Sequence, residues 1–133
     1  MVELPSNVIE AERFIQMMEL SGGSIGSNDL VQTVYAVSRD DLEGYQNPVD
    51  ARSPAVKSMI RQIVNKFNAR GLEIGICGQA PSDFPEEFPP FLIDCGISSI
   101  SVTPDTAIAV RNTVAEAEKA AKKLTKQAEL LSD

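Results

Sequence analysis

Cys77 lies between Gly75 and Gly78, and glycines on both sides of a thiol leave room for a ligand to approach it. A lone cysteine is equally at home as a small core hydrophobe. Cys95, in Leu92-Ile93-Asp94-Cys95-Gly96, fits only that second reading. Two carboxylates, Glu3 and Asp29, each stand at the end of a short β-prone segment. There they are solvated surface groups, helix caps, or the acidic members of a site of the kind that β/α barrels gather at the C-terminal ends of their strands. Asn28 reads as a helix cap, and Arg39, in Ser38-Arg39-Asp40-Asp41, as one arm of a surface ion pair. The sequence contains no histidine. That removes the commonest general base, the commonest metal ligand and any phosphohistidine carrier together.

The frame that must position these groups is small. At 133 residues the chain has length for one domain, and 43% hydrophobic with 23% charged residues places it among globular proteins, not disordered ones. A formal net charge of −7 argues against nucleic acid and anionic membranes as partners, since both ask for a basic footprint. No apolar run approaches a membrane span, and the N-terminus lacks a basic-then-apolar leader pattern. Two cysteines make a poor disulfide framework, so a reducing, cytoplasmic setting is expected.

Four β-prone segments, at 1–4, 24–26, 72–77 and 97–102, are each followed by a helical pattern. Pro5 closes the first segment, Ser6 or Asn7 can cap the following helix, and Val8, Ala11, Ile15 and Met18 then share one face. Ser21-Gly22-Gly23 stops it. Asn28 and Asp29 belong to the turn and helix start after the second strand. Residues 39–53 read as a surface loop, with Gly44, Asn47 and Pro48 as turn formers. Ser53-Pro54 opens the clearest helix, whose face is Val56, Met59, Ile60, Ile63, Val64 and Phe67, and Gly71 ends it. A short helix is expected near 90–95, and Thr103-Pro104 starts the last one.

This alternation predicts an α/β fold of four consecutive β/α units, half of an eight-stranded TIM barrel, over 1–104, with an extended C-terminal helix over 105–133. Half a barrel leaves two open strand edges and an uncovered inner face, so a partner is expected, either a homo-oligomer or a chain carrying the complementary half. The last helix spaces Val110, Val114, Ala117, Ala121, Leu124, Ala128 and Leu131 alternately four and three apart, a heptad seam. It either packs on its own domain or associates with another helix.

Three stretches go beyond a generic barrel pattern: Met1-Val2-Glu3-Leu4-Pro5-Ser6, Ser24-Ile25-Gly26-Ser27-Asn28-Asp29-Leu30 and Gly75-Ile76-Cys77-Gly78-Gln79. In this order they resemble the C-terminal barrel of the phosphoenolpyruvate-utilising enzymes, which include phosphoenolpyruvate synthase and pyruvate phosphate dikinase. Ala80-Pro81-Ser82-Asp83 and the stretch 98–105 look most like the synthase branch. The resemblance implies that Glu3 and Asp29 hold Mg2+, and two carboxylates completed by water and substrate oxygens suit that ion. It implies that Asn28 contacts the substrate phosphate, that Arg39 neutralises phosphoryl or enolate charge, and that Gly78 belongs to the substrate-binding set. Cys77 is then the catalytic thiol that delivers or removes the methylene proton between phosphoenolpyruvate and pyruvate.

The family's other requirements are missing from these residues. Its phosphohistidine, its nucleotide-binding domain and the arginines of the first barrel half have no counterpart here, so net phosphoryl transfer by the isolated chain is not expected. Three readings remain: a fragment or relative of the synthase carrying part of its site, one subunit of a split enzyme, or a non-catalytic oligomerisation module.

Overall fold

The computed structural model describes residues 1–38 and 49–131, with side chains described at all of these except 125 and 128–131. Three parallel strands form one sheet in the order β1 (Gly22–Gly26), β2 (Glu73–Cys77), β3 (Ser99–Ile100). Gly26 registers with Cys77, and Gly75 with Ser99. The first of the four expected strands is reduced to one parallel bridge between Val2 and Ile25. Its shortness has a local cause. Pro5 starts a helix at once, and the N–H groups of Glu3 and Leu4 donate to the Asn7 side-chain oxygen (3.1 and 3.0 Å) instead of to a neighbouring strand. Asn7 therefore caps by reaching back from inside the helix, not from the cap position.

Seven helices are seen among the described residues: α1 (Pro5–Ile9), α2 (Ala11–Met18), α3 (Ser27–Tyr35), α4 (Pro54–Asn68), α5 (Ala80–Asp83), α6 (Phe88–Cys95) and α7 (Ala107–Leu131). Strand alternation sends Ile25, Ile74 and Ile76 to one sheet face, where they are fully buried with Val56, Ile60, Ile63, Val64 and Phe67 of α4. Each such side chain contributes about 1.5–3 kcal/mol on leaving water. The opposite face carries Gly22, Ser24, Gly26, Glu73, Gly75, Cys77 and Ser99, all small except Glu73, with Glu73 and Ser99 exposed and Ser24 and Cys77 half-buried.

The single helix expected after Pro5 is two. Lys66 of α4 donates to the carbonyls of Val8 (2.7 Å) and Ile9 (3.0 Å), taking up acceptors at the end of α1, and the chain restarts at Ala11. Val8, Ala11 and Ile15 are buried as expected, but Met18 is 64% exposed and is not part of the core. Gly22 and Gly23 do not stop the helix. Glu19 does so in a left-handed conformation, and the two glycines enter β1. The Phe67 ring lies 2.8 Å from where a Gly23 Cβ would sit.

Ser53 occupies the cap position of α4, yet its hydroxyl makes no capping bond and is buried without a partner among the described residues. The expected loop at 39–53 falls largely outside the described residues. Its end is fastened where Arg52 lies 3.6 Å above the Phe84 ring and pairs with Asp50 and Glu87. Helix α7 begins two residues later than Thr103-Pro104-Asp105 suggests, and its 25 residues span about 38 Å. Val110 is buried, and Val114 and Ala117 are half-buried, on the stretch that packs against α6. From Glu118 to Leu124 every side chain is exposed, Leu124 to 67%. Seam positions Ala128 and Leu131 lie outside the described side chains. No described helix is long and apolar enough to cross a membrane.

Two substitutions separate these readings of the first helix and turn. Gly23→Ala should lower stability by about 1–3 kcal/mol, because the ring of Phe67 fills the space. Met18→Ser should change it by less than about 0.5 kcal/mol. Urea unfolding midpoints of the two variants check both.

Candidate functional site

Parallel strands bring their C-terminal ends to one rim, and the chain leaves each strand there into a turn or helix. The Val2 bridge delivers Glu3, β1 delivers Gly26 and the start of α3, and β2 delivers Cys77 and Gly78. The Glu3 side chain lies across Gly26, its Cγ 2.6 Å and its Oε1 2.8 Å from where a Gly26 Cβ would stand. The Thr33 hydroxyl of α3 donates to the Glu3 carbonyl (2.7 Å), tying the first segment to the helix that carries Asp29. Asp29 stands in the first turn of α3, where carboxylates complement the helix dipole; it is exposed and accepts from the Gln32 side chain at 3.2 Å.

Ser27 holds β1 and β2 together at the rim. It is the one fully buried polar side chain among the described residues, and its hydroxyl donates to the Cys77 carbonyl at 3.2 Å. Next to it, the half-buried Asn28 accepts from the Gln79 N–H at 3.4 Å. Gly78 has φ +132, and a Cβ there would run into the Ser27 hydroxyl, so the turn after β2 admits glycine alone without strain. The Cys77 thiol lies on the small-residue face of the sheet, half-buried, and accepts a long contact from the Ser24 hydroxyl at 3.7 Å. Cys95 is buried in α6, and desolvation is the main cause that pushes its thiol pKa up, with Asp94 adding to the rise and Arg61 opposing it.

Five of the six residues named from the sequence, Glu3, Asn28, Asp29, Cys77 and Gly78, thus meet along one edge of the sheet. Arg39 lies outside the described residues. Among those described, no three His, Cys, Asp or Glu side chains cluster closely enough to hold a metal ion by themselves. A cation here would draw on Glu3 and Asp29 and complete its shell with water and substrate oxygens, which fits the habit of magnesium and not that of zinc. Sequence reasoning missed Ser27, Ser24 and Thr33. Ser27 reads locally as a cap-like serine before a helix, and only the sheet register reveals the carbonyl it serves.

The Ser27→Ala variant should lose about 1–2 kcal/mol, because the Cys77 carbonyl gives up the donor that the buried Ser27 hydroxyl supplies. Chemical denaturation measures this directly. Alkylation with iodoacetamide near neutral pH should label Cys77 well before Cys95, read by peptide mass spectrometry. Labelling of Cys95 first would mean that the β2 thiol is the sequestered one.

Comparison with known proteins identifies the family. The family described as "PEP-utilising enzyme, PEP-binding domain" matches residues 1–119. Phosphoenolpyruvate synthase of Aquifex aeolicus is 46% identical over 119 residues, and that of Synechocystis sp. is 46% identical over 120. The Escherichia coli enzyme is 38% identical over 120 residues. In each case the match takes in 90% of this chain, which spans only 13–14% of the relative's length. The match takes in both segments that build the rim, and the chain belongs to the PEP-utilising enzymes, as a PEP-binding domain.

Proposed function

We propose that this chain carries part of the magnesium-dependent phosphoenolpyruvate/pyruvate site of a phosphoenolpyruvate synthase-type enzyme, in a half-barrel arrangement of its strands. The observation that carries this reading is the meeting of Glu3, Asn28, Asp29, Cys77 and Gly78 at the C-terminal ends of parallel strands in a chain of this family. Glu3 and Asp29 would hold Mg2+, which supplies a hard positive charge opposite enolate and phosphoryl oxygens. The start of α3, with no side-chain cap at Gly26, offers the positive end of a nine-residue helix to an anionic group beside Asn28. Arg39 would add a planar cation to the same charge. Gly78 lets the backbone approach the ligand closely, and Cys77, on the open face, gives and takes the methylene proton at its Sγ.

The chain supplies no histidine to carry a phosphoryl group, so net phosphotransfer needs further protein. Such an enzyme would be completed by a complementary half barrel or by another copy, since Val2 and β3 both present a free side to a neighbour among the described residues.

Calorimetric titration with oxalate, a planar mimic of the enolate, tests the reading. Binding in the millimolar range or tighter should appear with magnesium, vanish without it, and vanish again in Asp29→Asn. Metal-independent binding, or none up to tens of millimolar, would sink the site.

A further inference from the structure

Glu3 stands where a strand has just ended, and its main chain is held by side chains instead of a ladder. Val2 makes the bridge to β1: its N–H donates to the Ser24 carbonyl (2.7 Å) and its carbonyl accepts from Gly26 (2.9 Å). One residue on, Asn7 takes over. Its side-chain oxygen receives the N–H groups of Glu3 and Leu4, and its own N–H donates to the Leu4 carbonyl at 2.9 Å. The Glu3 carbonyl goes elsewhere. It accepts from the Thr33 hydroxyl of α3 at 2.7 Å, across 30 residues of sequence.

That bond is not the usual one for a threonine in a helix. A helical hydroxyl commonly bonds back to a carbonyl of the preceding turn, as Thr113 does to Ala109 at 3.3 Å. Thr33 has two such carbonyls within reach, Asp29 at 3.0 Å and Leu30 at 3.1 Å, yet its shortest contact is to Glu3. A hydroxyl carries one proton, and distance assigns it to Glu3. Thr33 also lies four residues after Asp29, about one helical turn, so the group that grips the Glu3 main chain shares a face of α3 with Asp29.

Gln32 acts on Asp29 itself. Its side-chain amide donates to Asp29 Oδ1 at 3.2 Å and to the Asn28 carbonyl at 3.4 Å. A carboxylate and a carbonyl both only accept, which turns the amide nitrogen toward them and engages both of its N–H groups. Asp29 is exposed, and a short exposed carboxylate without such a contact samples several rotamers.

We propose that Gln32 and Thr33 are positioning residues for the Glu3–Asp29 pair: Thr33 fixes the Glu3 main chain against α3, and Gln32 fixes the turn of the Asp29 carboxylate. The inference rests on the reading of Glu3 and Asp29 as a magnesium pair, and adds the groups that preorganise them. Two carboxylates on separate segments repel one another until a cation lies between them. If they are free to move apart, binding must also order them, and affinity falls by that cost. Hydrogen bonds from outside the ligand set do the ordering in advance. Their loss typically lowers metal affinity by about 10–100-fold. Asn7 completes the arrangement by holding the other side of the Glu3 peptide, but it belongs to α1 and leaves the spacing to α3 unset.

Mn2+, which takes the same oxygen ligands in octahedral array, is titrated into the full chain and its binding read from water proton relaxation. Thr33→Val keeps the shape of the side chain and removes the hydroxyl; it should weaken Mn2+ binding about tenfold, and Gln32→Met by a similar factor. Thr33→Ser keeps the hydroxyl and should bind as the wild type does. Thr113→Val removes a hydroxyl of the ordinary helical kind on α7 and should leave the affinity unchanged. Urea midpoints taken beside each titration keep the comparison between folded chains. Unchanged affinity in either Thr33→Val or Gln32→Met, while Asp29→Asn abolishes binding, would overturn the inference and leave the magnesium reading standing. A loss in Thr33→Val that Thr33→Ser does not recover, or an equal loss in Thr113→Val, would also overturn it. A wild-type chain that binds no Mn2+ would sink the magnesium reading and this inference together.

Discussion

The Ser27 hydroxyl donates to the carbonyl of Cys77 from a position wholly removed from water, across a gap of 50 residues in sequence. Much of the rim depends on that contact. It fixes the end of β1 against the end of β2, and so sets the start of α3 relative to the thiol. It also fills the space where any side chain at residue 78 would go. Asn28 and Asp29 follow Ser27 directly, so their positions are inherited from it. A buried hydroxyl without its acceptor would cost more than the bond contributes, which is why such a residue specifies geometry more sharply than an apolar one of similar size.

Much of this architecture is legible in the sequence where the signal is local. The periodicity from Val56 to Phe67 and the Ser53-Pro54 start identify α4, and the β-branched alternation at Ile74 and Ile76 identifies β2. What fails is what depends on distant partners. Nothing near residue 10 announces a helix break, because the lysine that takes the carbonyls of Val8 and Ile9 is Lys66. Gly22-Gly23 has the local form of a helix stop, whereas its role in a strand comes from the ring of Phe67 lying above it. The first strand shrinks to Val2 because Asn7 takes the amides of Glu3 and Leu4. Of the site, five residues named from family-like stretches converge on one rim, while the serines and the threonine that hold the rim in shape carried no signal of their own.

The two faces of the sheet divide the labour. On one, isoleucines and the apolar stripe of α4 supply the stability; on the other, serines, glycines, one glutamate and one cysteine leave a surface with little apolar area to bury. A chain that represents roughly a seventh of its relatives' length still contains a complete core of its own, because α4, α6 and the sheet enclose Phe88, Leu92 and the strand isoleucines without help. From Glu118 to Leu124, α7 adds no buried side chain to that core.

The strand order has a kinetic meaning as well. Among the described residues every strand pairs with the next one along the chain, so no strand waits for a later one to be inserted beside it. Each β/α segment emerging from a ribosome can dock on the one before it, with only a modest loop to close at each step. The sheet can therefore grow from the N-terminal side in the order of its synthesis, each new strand finding its template already in place.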